Sequence, residues 1–227
     1  MAKAAAKNEE HGVFQATFER YSRLELTYDY DQPNAIAGVE RRLAKEMASQ
    51  VAFGVFANRN SGCLHRSLLW RRAENSRLEW IKNPHVRVPT WSWMAYTGAI
   101  DYLNPPTTEV EWGRDIALET TAAGPAKLTA KLVAPITAFS AVMTRNPSLL
   151  IMDTWATVDF RTLKCIVVGR EPQSLSESQI EDEAYHILIV SLVEQNAACP
   201  EYERVSVATV LTAHLALECQ SEPARII

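Results

Sequence analysis

Glycine is scarce, with only 8 in 227 residues. Phosphate-cradling loops draw on glycine for close backbone approach, and neither a Gly-rich phosphate loop nor a Rossmann fingerprint occurs. The GxSxG and HExxH signatures are missing as well, so no established hydrolase or metalloprotease motif is available. The four cysteines, Cys63, Cys165, Cys199 and Cys219, lie far apart with no CxxC. Reduced thiols are therefore expected in place of a disulfide or metal framework, and no cofactor or metal is expected. No apolar run reaches the roughly 18 residues of a membrane helix, so no membrane span is expected. The opening "MAKAAAKNEEHG" has charges but no signal-type apolar core, and a cytoplasmic location is expected. Basic residues are scattered and the net charge is -4, which argues against a nucleic-acid partner.

What remains is an ordinary globular balance, 47% hydrophobic and 22% charged. Val13, Phe14, Phe18 and Tyr21 recur at helical spacing between Gly12 and Arg23. Asp31 reads as an N-cap with Pro33 in the first turn after it. The helix that follows carries Ile36, Val39, Leu43, Met47 and Val51 on one face and Glu40, Arg41, Arg42, Lys45 and Glu46 on the other. Asn58 to Gly62 breaks it, and "CLHRSLLW" suggests a short helix ending near Trp70.

From about residue 78 the pattern changes to short apolar or alternating runs, among them "TLKCIVVG", "AYHILIVSLVEQ" and "RVSVATVLTAHLAL". Turn-forming pieces such as "NPP", "AAGP" and "REPQS" separate them, and the polar "SLSESQIEDEA" reads as an exposed loop. The expected class is α+β, with N-terminal helices packed on an antiparallel β-barrel or sandwich. Residues 1–11 are expected to be a flexible terminus and 12–227 a single domain, mainly helical over 12–75 and mainly β over 78–220. In "VPTWSWMAYTG", residues 88–98, an extended Pro89–Ala95 would place Trp91 and Trp93 on one face. That face would either close a core or line a pocket.

Several of these stretches resemble one family. "YSRLELTYDYDQPNAIAGVERRLA", "LLWRR", "RVPTWSWMAYTGAIDY" and "YHILIVSLVEQNAACPEYERVSVATV" follow the order of motifs in fungal heterokaryon-incompatibility (HET-domain) proteins. The resemblance covers the chain from about Gly12 and corresponds to the part downstream of the HET domain. Cell-death activity is not carried over by the resemblance, because the domain linked to that signalling is not matched. Two positions depart from the family pattern: Ser206 stands where a glycine is usual, and Met94-Ala95 where Ala-Ser is usual.

Two functional readings follow from the residues. In the first, the chain binds an apolar or aromatic small-molecule metabolite. It acts without cofactor as a lyase or cyclase of fungal secondary metabolism, by dehydration, cyclisation or pericyclic addition. Trp91, Trp93, Trp70 and Tyr28 would bind the substrate, while His65, His85, Asp29 and Arg66 would supply acid–base or orienting groups. Each has a plainer reading: the tryptophans as core anchors, the histidines as satisfied imidazoles and Asp29 as an exposed carboxylate. His186 and His214 lie on apolar runs without ligand-like spacing, and Glu201, Glu203 and Arg204 read as a surface charge group. In the second reading the chain is an interaction or decoy module in non-self recognition. A homo-oligomer is a further option under either.

Overall fold

The computed structural model describes residues 2–58, 62–82, 84–105, 110–120, 126–132, 134–135, 151–154, 163–172, 183–194, 200–212, 215–216 and 222–227. Three α-helices come early: α1 (Ala2–Ser22), α2 (Gln32–Glu46) and α3 (Cys63–Leu68). Six short strands lie among and after them: β1 (Val51–Ala52), β2 (Val55–Phe56), β3 (Trp70–Arg72), β4 (Glu79–Trp80), β5 (Tyr96–Thr97) and β6 (Ile100–Tyr102). The described elements that follow are strands: β7 (Glu111–Trp112), β8 (Ala117–Glu119), β9 (Lys127–Leu132), β10 (Ala134–Pro135), β11 (Ile151–Met152), β12 (Leu163–Glu171), β13 (Ala184–Glu194), β14 (Glu201–Leu211), β15 (Leu215–Ala216) and β16 (Glu222–Ile226). The class is α+β, as the sequence pattern indicates. No helix among the described residues is long and apolar enough to cross a membrane.

The chain divides into two compact units, residues 1–104 with 117–128, and residues 105–116 with 129–227. In the first, Phe14, Phe18, Ile36, Leu43, Phe56, Trp70 and Trp93 form one buried cluster. Side chains of α1 satisfy backbone donors of β6: Glu19 Oε1 accepts from the Tyr102 N–H at 2.8 Å and Ser22 Oγ from the Ile100 N–H at 3.0 Å. The Arg23–Asp101 ion pair adds a third link. A helix thus meets a strand edge whose amides would otherwise lack partners.

In the second unit the strand order is β7-β12-β13-β14-β16-β9, with β11 also pairing β14. The long β12–β13–β14 meander is antiparallel, whereas β14 and β16 pair in parallel, so the sheet is mixed. It is an open path, and no closed barrel is found among the described residues. Leu163, Cys165, Ile187, Ile189 and Val205 centre the core of this unit. Ser206 is fully buried and donates from Oγ to the Ile151 carbonyl at 2.7 Å.

Three local expectations are corrected. The stretch Pro89–Ala95 is no strand: the Ser92 N–H bonds back to the Pro89 carbonyl at 3.0 Å, and Trp93–Ala95 is a 3-10 turn. Ser92 is the cause, because its Oγ caps the turn by accepting from the Met94 N–H at 3.0 Å. Second, α2 ends at Glu46 and does not run on through Val51. Ala48 takes φ 46°, with Ser49 N–H bonding to the Ala44 carbonyl at 2.9 Å and Ala48 N–H to the Lys45 carbonyl at 3.3 Å. This is a Schellman closure with alanine where glycine is usual. Third, the α2 faces differ from the periodic reading, since Val39 is exposed and Glu40 is buried. Asp31 does occupy the N-cap position, but its side chain makes no capping hydrogen bond.

Candidate functional site

The hairpin β1–β2 is closed by two residues, with Ala52 paired to Val55 and Val51 to Phe56. Both loop residues have positive φ, Phe53 at 49° and Gly54 at 78°, the geometry of a type I′ turn. Gly54 suits this place twice over: a Cβ there would lie 2.5 Å from Trp93 Nε1. Phe53 does not suit it, because a bulky residue in the left-handed region carries strain of about 1–3 kcal/mol. Two anchors hold the turn in place. Ser92 Oγ donates to the Phe53 carbonyl at 2.7 Å, and the Gly54 N–H donates to Glu40 Oε1.

Beside this turn lies a pocket of about 400 Å3. Helix α2 contributes Pro33, Asn34, Ala37 and Glu40, residues brought to one side by helical spacing. The hairpin contributes Val51, Ala52 and Phe53, and Val86, Thr120 and Ala126 complete the wall. The lining is mainly apolar, with one ionisable side chain among the described residues. That side chain, Glu40, is only 8% exposed. Burial raises its carboxyl above the ordinary value, an effect offset in part by the hydrogen bond from Gly54. A carboxyl shifted upward inside an apolar concavity can exchange a proton with a bound molecule at a pH nearer neutrality.

The sequence-derived candidates fall into two groups. Tyr28, Asp29 and His85 lie on the surface, where the Tyr28 and Tyr30 rings stack at 5.4 Å and His85 meets the Tyr30 ring edge-on at 6.2 Å. The segments that carry them run straight into the pocket wall, at Pro33–Asn34 and at Val86. The other candidates are interior. Trp70, Trp91 and Trp93 are fully buried, Trp70 Nε1–H donates to the Trp91 carbonyl at 2.9 Å, and His65 and Arg66 lie on the wholly buried α3. Burial lowers the Arg66 guanidinium from its ordinary value. Trp91 touches the site only indirectly, through an edge contact with Phe53 at 6.3 Å. Glu40 and Phe53 are the residues that sequence reasoning missed. The signal available for them was a phenylalanine directly before glycine in a two-residue turn.

In the second unit His186 is buried, with Nδ1 paired to Thr209 Oγ1 at 3.0 Å and Nε2 to Glu171 Oε1 at 2.8 Å. His186 and Thr209 are direct cross-strand partners, so the contact ties β13 to β14 and, through Glu171, to β12. Arg204 is a correction to the sequence reading: it is buried and ion-paired with Asp153 at 2.8 Å. Cys63 and Cys165 are buried thiols, and burial pushes Cys165 up to about 12. Cys199, Cys219, Trp155 and His214 lie outside the described residues. Among the described residues no group of three His, Cys, Asp or Glu side chains could hold a metal ion. No protein-family model, no curated protein and no solved structure matches this chain.

Proposed function

We propose that the first unit binds a small, mainly apolar or aromatic molecule in the α2–hairpin pocket and acts on it, without cofactor, through Glu40. The observation that carries this reading is a buried carboxyl in a mainly apolar pocket of about 400 Å3, within the size range of small-molecule sites. The reaction class remains that expected from the sequence: dehydration, cyclisation or pericyclic addition. Glu40 takes the acid–base role, and the pocket walls supply orientation. The tryptophans leave the binding set and serve as the frame that fixes the Phe53–Gly54 turn. Tyr28 and His85 stay in the proposal as groups beside the pocket wall.

The test is ligand-observed NMR with propylbenzene as probe, on the wild type and on Ala37→Phe. Adding a phenyl group at a wall residue of α2 fills the pocket. Binding by the wild type that falls at least about tenfold in Ala37→Phe supports the reading. A folded wild-type protein that binds no apolar aromatic probe sinks it.

One observation favours the second reading, a protein-interaction module related to the incompatibility family. Trp80 is 45% exposed on β4, an unusual cost for a tryptophan unless something covers it. The covering partner would be another protein or a second copy of this chain.

A further inference from the structure

The polar groups of the pocket are unequal in sign. Among the described residues that line it, Glu40 is the sole ionisable group and none is basic. Arg41 is next to Glu40 in sequence, but it is exposed, and its Nε donates to the Ala37 carbonyl at 3.2 Å. An anionic ligand would therefore meet a buried carboxyl with no cation to offset it, which like-charge repulsion and desolvation both oppose. A ligand with a cationic nitrogen meets the opposite situation. A carboxylate can accept several hydrogen bonds, and among the described residues Glu40 receives its bond from the Gly54 N–H on Oε1. The second oxygen retains acceptor capacity. Phe53 also lines the pocket, and an aromatic ring is a group that can attract an ammonium.

We propose that the ligand of this pocket is an amine, with an apolar or aromatic body against Ala37, Val51 and Phe53 and its ammonium paired with Glu40. This rests on the pocket reading above and narrows it to one chemical class. The upward shift of Glu40 agrees with it, since a buried carboxyl lacking a cation is costly and an incoming ammonium supplies the missing charge.

The experiment compares three probes of nearly one shape: 3-phenylpropylamine, 3-phenylpropan-1-ol and 4-phenylbutanoate. Affinities are measured by calorimetric titration on the wild type, Glu40→Gln and Phe53→Leu. On the wild type the amine is expected to bind at least about tenfold tighter than the alcohol, and the carboxylate weakest. Glu40→Gln should bring the amine and the alcohol within about twofold of each other. Phe53→Leu should reduce the amine preference about threefold, which keeps the test informative should Glu40→Gln fold poorly. A carboxylate that binds as tightly as the amine overturns the amine assignment, and so does an amine preference that survives Glu40→Gln. If the alcohol binds and the amine gains nothing, the assignment falls and the pocket reading stands. If none of the three binds the wild type, both fall.

Discussion

Glu40 shows how one residue carries opposed demands. It sits on a helix among charged neighbours, Arg41 and Arg42, yet faces inward to hold the Gly54 amide. Its carboxyl titrates above the ordinary glutamate value of 4.5, because burial disfavours the charged form. The consequence for stability has a definite sign. Well below 4.5 the carboxyl is protonated in both the folded and the unfolded chain, and its ionisation has no effect. As pH rises, the unfolded chain releases the proton first, so stability is lost until the raised folded value is passed. Glu40→Gln cannot ionise and escapes that loss. In urea denaturation, the stability of Glu40→Gln relative to wild type should therefore improve from pH below 4.5 to about pH 8. A difference that stays flat, or that moves the other way, would mean that the carboxyl is not desolvated.

At the scale of elements, α2 and the hairpin set the pocket, and the joint between them is strained. Ala48 holds a left-handed φ of 46° so that the chain can leave the helix through a Schellman turn. Glycine adopts that region without a Cβ penalty, so Ala48→Gly should stabilise the protein by about 1 kcal/mol, read as a higher urea midpoint with unchanged slope. The same joint explains a limit of the sequence reading. Met47 and Val51 continue the spacing of Ile36 and Leu43, so the periodic signal runs past the true helix end and hides the hairpin. By contrast β12, β13 and β14 were legible, because long apolar and β-branched runs bounded by turn residues leave few alternatives. Trp91 and Trp93 lay between these cases: their burial was foreseeable from their size. The Ser92 side chain turned an apparent strand into a capped 3-10 turn. The pocket itself was not legible, since its walls come from residues 33–40, 51–53, 86, 120 and 126, and no local pattern links those segments.

At the scale of the whole chain, each unit has its own buried cluster, and a domain with its own core can unfold by its own transition. The buried Asp153–Arg204 pair lies entirely in the second unit. Removing one partner strands a charge in the interior, so Asp153→Ala should cost about 3–5 kcal/mol. Residue placement lets the location of that loss be read directly. The three α-helices, which dominate the far-ultraviolet circular dichroism, belong to the first unit, whereas the buried Cys165 thiol belongs to the core of the second. In Asp153→Ala, the urea midpoint followed by mass-mapped alkylation of the Cys165 thiol should fall while the midpoint followed by helical circular dichroism stays near the wild-type value. The Ala37-lined pocket should then still bind propylbenzene at urea concentrations where Cys165 has become reactive. Coincident falls in both midpoints would instead show that the two cores unfold as one, and that the pocket depends on a sheet to which it contributes no lining residue.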